Sequence, residues 1–111
     1  GGDAFMAGLA HAWLQEQGIG ELLICGIQTN MCVETTARMA GNLGYDTTVV
    51  WDATRTFDLD AEISGIGRVT RTAAEIMATS ALVLQEGGFA RIRTTAEIVG
   101  SERRVHDRSL R

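Results

Sequence analysis

Cys25-Gly26-Ile27-Gln28-Thr29-Asn30-Met31-Cys32-Val33-Glu34 is the stretch on which the reading of the fold turns. Its left half completes an almost unbroken apolar run, Glu21-Leu22-Leu23-Ile24-Cys25-Gly26-Ile27, set off by glycines. A short run of that texture predicts a strand buried on both faces, as in a parallel sheet. Its right half opens a helix near Asn30 or Met31, with Val33, Ala37, Ala40 and Leu43 on one stripe. Gly44 stands where a left-handed residue ends a helix, and Tyr45 can fold back as its hydrophobic closure. Where such a strand runs into a helix, ligands gather outside the strand end.

Toward the N-terminus, Phe5, Leu9, Trp13 and Leu14 follow helical spacing over 3–17, with Asp3 as cap and Gly18 as stop. Toward the C-terminus, Asp46 to Trp51 is rich in Thr and Val and reads as a strand ending at Asp52-Ala53-Thr54. Residues 55–68, with Asp58, Asp60, Ser64, Gly65 and Gly67, read as loop. A third helix is expected from about Val69 to Gln85, carrying Ala73, Ile76, Met77, Ala81 and Leu84 and stopped by Gly87-Gly88. Phe89 to Thr94 reads as a strand, and Thr95-Ala96-Glu97-Ile98 as the start of a short helix.

Helix and strand thus alternate, which predicts an α/β fold with a three-layer, doubly wound parallel sheet. About three of its strands lie here, in one domain portion over 1–100, followed by a charged tail over 101–111. Three parallel strands leave a buried-type strand at an open edge, so self-association into a homo-oligomer is expected.

The chain has 111 residues, 45% of them hydrophobic, which allows one domain with a core and no more. Ten arginines against fourteen acidic residues give a net charge of −4, which speaks against nucleic acid or an anionic membrane as partner. No apolar run reaches the length of a membrane span or a signal-peptide core. Two cysteines do not make a disulfide framework, so a reduced, cytoplasmic setting is expected. Lysine is absent, so no lysine of this chain serves as base or Schiff-base former.

Cys32 falls in a first helical turn, beside unpaired backbone N–H groups and the positive end of the dipole. Both favour negative charge on sulfur, and the same N–H groups can receive an oxyanion. Cys32 is therefore either a nucleophile or a small core residue. Cys25, inside the apolar run, reads as strand-core packing. His11 and His106 show no metal-ligand spacing and read as solvated, so no metal or other cofactor is implied. Gly18-x-Gly20 precedes a strand, which ranks a dinucleotide-binding reading lowest. Asp52, at a strand end, can touch a ligand, but reads first as a cap on the next turn. Glu34 favours its helix dipole, Arg38 reads as a surface or interface residue, and Arg103-Arg104 as a solvated pair.

The ordered block Gly26-Ile27-Gln28-Thr29-Asn30-Met31-Cys32-Val33-Glu34-Thr35-Thr36-Ala37-Arg38-Met39-Ala40, followed by Gly44-Tyr45-Asp46 and Asp52-Ala53-Thr54, resembles the isochorismatase-like cysteine hydrolases. The similarity runs from Asp3-Ala4-Phe5 to Phe89-Ala90 and Thr94-Thr95. The resemblance implies a doubly wound α/β fold and a Cys-Asp-Lys arrangement that cleaves C–N bonds of small amide or ureido metabolites, with Cys32 matching the nucleophile. It also implies a cis peptide between Ile27 and Gln28, and an oxyanion hole built from the backbone N–H groups of Gln28 and Cys32. Asn30 and Met31 are candidates for the pocket wall, together with the 55–68 loop. The family's aspartate and lysine belong to its N-terminal half, the lysine just before the segment matching Asp3-Ala4-Phe5. The chain therefore reads as the C-terminal part of a family member, with little activity alone. Met77 stands where many relatives have His. The rival reading is a degenerate, non-catalytic homologue that serves assembly.

Overall fold

The computed structural model describes residues 10–100. In chain order the elements are helix α1 over 10–16, strand β1 (Glu21–Ile27), a π-helical turn (Thr29–Val33) and helix α2 (Glu34–Asn42). Then come β2 (Asp46–Arg55), β3 (Leu59–Ile63), β4 (Gly67–Arg71), helix α3 (Ala73–Glu86), β5 (Arg91–Arg93) and helix α4 over 95–100. Strands β1, β2 and β5 form a parallel sheet in the order β1-β2-β5, with helices in the crossovers. This is the α/β architecture that the alternating pattern predicts. The Asp3 cap, Phe5, Leu9, His106, Arg103-Arg104 and the tail lie outside the described residues.

One face of the sheet carries the core. Ile24 of β1 and Ile92 of β5 flank Val49 of β2, and Val33, Ala37 of α2 and Leu84 of α3 close over them. Val49 and Leu84 are each 1% exposed, and burying such a side chain stabilises by roughly 1.5–3 kcal/mol. Gly41 lets α2 approach this layer closely: a Cβ there would stand 2.5 Å from the Phe89 carbonyl oxygen. The Arg38 guanidinium lies over the Phe89 ring, 4.9 Å from its centroid. Helix α2 closes as its sequence predicts. Gly44 has φ 90°, its N–H donates to Gly41 O (3.1 Å), and Tyr45 N–H reaches back to Ala40 O (3.0 Å).

The opposite face of β1 is bare, which corrects the expectation of burial on both sides. Burial alternates strictly along the strand, leaving Leu23 50% and Ile27 64% exposed, with Cys25 exposed between them. Helices α2 and α3, which close over Ile24 and Val49, lie on the other side, whereas the centre of the neighbouring β2 is buried on both faces, at Thr48 and Val50 as well as at Val49. Leu43 and Trp13, counted on helix stripes, are likewise exposed.

Residues 55–68 are also more ordered than a loop. Strands β3 and β4 form an antiparallel hairpin turning through Ser64-Gly65-Ile66, with Gly65 and Gly67 at φ 80° and 96°. Leu59, Ala61, Ile63 and Val69 share one face, since directly paired residues point the same way. On the other face Asp60 receives Arg68 (2.7 Å) and the Thr70 hydroxyl (2.8 Å). Alternation at Leu59-Asp60-Ala61-Glu62-Ile63 outweighs the loop-forming residues around it. The third helix consequently begins at Ala73 rather than Val69, behind a capping box in which Thr72 Oγ1 accepts from Glu75 N–H (3.2 Å) and Glu75 accepts from Thr72 N–H (3.1 Å). β2 runs on to Arg55, and the last strand contracts to Arg91–Arg93.

Candidate active site

At the C-terminal end of β1 the backbone turns sharply. Gly26 has φ 124°, a conformation that L side chains rarely adopt, and the Ile27–Gln28 peptide is cis. Gln28 is extended, and its carbonyl accepts from the N–H groups of both Met31 (3.2 Å) and Val33 (3.2 Å). The bond from Val33 spans five residues and gives the turn its π character before α2 begins at Glu34.

The turn brings Gln28, Asn30, Met31 and Cys32 together. Gln28 and Asn30 are half-buried, while Met31 and Cys32 are exposed. Within this chain Cys32 is exposed, whereas the core-residue reading expects it to be covered by its neighbours. Cys25 is a free and exposed thiol as well, so its reading as strand core is corrected too.

Several carboxylates already have partners of their own. Glu34 pairs with Arg38 (3.8 Å), and Asp58 accepts from Ala73 N–H (2.8 Å) at the start of α3. Asp52 accepts from the backbone N–H (2.8 Å) and hydroxyl (2.9 Å) of Thr95, so it caps α4 across 43 positions of sequence. Those bonds, the backbone one foremost, hold the Asp52 carboxyl below the usual carboxylate range against opposing desolvation. His11 is not simply solvated: its Nδ1 lies 2.6 Å from the Tyr45 hydroxyl, at the other end of the sheet. Met77 is buried within α3, where it packs rather than presenting a polar group. An open depression of about 510 Å³, lined in part by Tyr45, Asp46, Phe89 and Arg91, also lies at the strand N-termini, away from Cys32. Among the described residues, no three His, Cys, Asp or Glu side chains gather as a metal site, and no helix is long and apolar enough to cross a membrane.

Sequence reasoning missed three threonines beneath the turn. The Thr29 hydroxyl donates to Thr54 Oγ1 (2.8 Å), which donates in turn to the Trp51 carbonyl (2.6 Å). The Thr56 hydroxyl donates to Asn30 Oδ1. In sequence Thr29 reads as part of the strand-to-helix block, Thr54 as the end of a strand and Thr56 as loop, and no local spacing signals the pairing.

The isochorismatase domain model matches residues 2–81 of the chain. The isochorismatase family protein YrdC of Bacillus subtilis is 32% identical over 103 residues, 93% of this chain and 52% of its own length. An isochorismatase-family hydrolase structure from Chromobacterium violaceum superposes with a TM-score of 0.73 at 35% identity, over 82% of this chain and 45% of that one. A cysteine hydrolase from Pseudomonas syringae pv. phaseolicola gives 0.68 at 28% identity, over 81% and 40%. The chain thus spans about half the length of these relatives. With the sequence block, the parallel sheet and the turn at its strand end in agreement, the chain belongs to the isochorismatase family.

Proposed function

We propose that the protein to which this chain contributes is a cysteine hydrolase that cleaves a C–N bond of a small amide or ureido metabolite, with Cys32 as nucleophile. The observation that carries this reading is an exposed, unpaired thiol on the turn between a strand's C-terminal end and a helix, among backbone N–H groups. In the first step the Cys32 proton passes to a carboxylate supplied from outside these 111 residues. The S–C bond forms while the carbonyl π pair moves onto oxygen, which the backbone N–H groups of Gln28 and Cys32 receive. Collapse breaks the C–N bond, and the amine leaves with the proton held by that carboxylic acid. Water then attacks the thioester, releasing the carboxylic acid product and regenerating the thiol.

The aspartate and lysine of the catalytic arrangement lie outside this chain, so the chain alone turns over little or nothing. Asn30 and Met31 border the substrate, no cofactor takes part, and the working assembly is a cytoplasmic homo-oligomer. Support for assembly comes from the bare face of β1, where Leu23 and Ile27 are exposed.

Rapid acid quench of the full-length protein during turnover of a small amide tests the chemistry. An acyl mass added at Cys32, and lost in Cys32→Ala, is expected. Full turnover by Cys32→Ala would overturn the assignment and favour a non-nucleophilic role for the turn.

A further inference from the structure

We infer that the end of β2 is a clamp on the Cys32 turn and that Thr54 is its positioning residue. The inference rests on the Cys32 reading above for its chemical consequence, but not for its geometry.

The pairing of β1 with β2 breaks just before the turn. Ile24 pairs with Val49, yet Gly26 pairs with Thr54 and Ile27 with Arg55. One residue of β1 therefore faces four of β2, and Val50 to Ala53 bulge out of register. The Arg55 guanidinium closes the bulge by donating to the carbonyls of Asp52 (2.8 Å) and Thr54 (2.7 Å). The resumed pairing brings Thr54 under the residues that lead into Gln28.

Thr54 is 0% exposed and Thr29 2% exposed, so neither hydroxyl can turn to water. Each is satisfied only through the chain Thr29 to Thr54 to the Trp51 carbonyl. Thr29 is the first residue of the π-helical turn, and Thr56 holds Asn30, the second, in the same way. Two adjacent positions of the turn are thus tied by side chains to one strand end and the residue after it. Removing the Thr54 hydroxyl leaves a buried Thr29 donor without partner, which a turn relieves most easily by shifting. Cys32 is already exposed, so a looser turn gains little access for a reagent and loses the ordered N–H groups around sulfur.

The test compares iodoacetamide labelling of Cys32 with that of Cys25 in the full-length protein, for wild type, Thr54→Val and Thr54→Ser. Thr54→Val is expected to slow Cys32 labelling roughly ten-fold, through displacement of the turn, and to leave Cys25 unchanged. Thr54→Ser, which keeps the hydroxyl, is expected to restore most of the wild-type rate. A folded Thr54→Val chain that labels Cys32 at the wild-type rate overturns the inference.

Equal labelling of Cys32 and Cys25 in wild type would overturn the nucleophile reading instead. The clamp is then judged by hydrogen exchange at the Met31 and Val33 amides, both bonded to the Gln28 carbonyl. Faster exchange in Thr54→Val but not Thr54→Ser supports it, and unchanged exchange in both overturns it. Should Thr54→Val not fold, Thr56→Val removes only the Asn30 tie and is read by the same two measurements.

Discussion

Ile24 lies against Val49 and Ile92, sealed beneath α2 and α3, whereas Leu23 and Cys25 on either side of it look out from a face that no described helix covers. The two faces of β1 are made of the same kinds of residue and differ only in what lies above them. Cys25 and Cys32 repeat the contrast. Both thiols are exposed, but one stands within strand β1, at the residue where its pairing with β2 breaks register, and the other on the π-helical turn between a strand's end and a helix. Exposure therefore says where a reagent can go, while the backbone around a thiol decides what it does on arrival.

The contrast between the thiols should give the largest effect. In the full-length protein, Cys32→Ala is expected to lower kcat/KM for an amide substrate on the order of 10³-fold or more, and Cys25→Ala to leave it nearly unchanged. Comparable losses from both would erase the distinction.

The two faces of the sheet come next, by denaturant unfolding of the 111-residue chain. Leu84→Ala should cost about 2–5 kcal/mol, as truncation in a packed core does. At dilutions where the chain is monomeric, Leu23→Ala should stay within about 0.5 kcal/mol. A cost at Leu23 near that at Leu84 would reveal a partner seated on the open face.

Smaller still is the start of α3, where Thr72→Ala removes half of a capping box and should cost about 1 kcal/mol by the same unfolding measurement. Acid should act most weakly. Asp52, Asp60, Glu75 and Glu97 all sit below their usual range, held there chiefly by bonds from Thr95, Arg68, Thr72 and Thr94. Their folded values are depressed, so their contribution is present above the ordinary carboxylate range, near pH 4, and is lost as pH falls through the lower folded values. Unfolding curves at pH 7 and pH 3 read it, and Glu75→Gln should lessen the difference.

Legibility followed locality. The strand at Glu21–Ile27 and the Gly44 helix stop depend on residues within a turn or two, and the chain spells them out. The turn at Cys32 was legible for the same reason, since strand end, glycine and helix start are adjacent. The bare face of β1 was not, because a continuous apolar run carries no mark of which side will be covered. The hairpin at Leu59–Ile63 was hidden by acids and glycines that also suit loops, although its period of two was present. The Asp52–Thr95 cap and the Thr29–Thr54 pair join positions 43 and 25 apart, where sequence spacing has no voice.

The break in register along β2 also bears on how such a chain tolerates change in length. Because Val50 to Ala53 answer only one residue of β1, this segment is already uncoupled from β1, although Val50 still pairs with Arg93 of β5. On the β1 side a change of length there is absorbed by the bulge, leaving the Ile24–Val49 core pair and the Gly26–Thr54 pair in place, provided that the Val50–Arg93 pair and the Asp52 cap are kept. The same change between Thr54 and Thr56 would carry the hydroxyls away from Thr29 and Asn30. Natural length variation in relatives is thus expected to collect on one side of Thr54 and to stop at it.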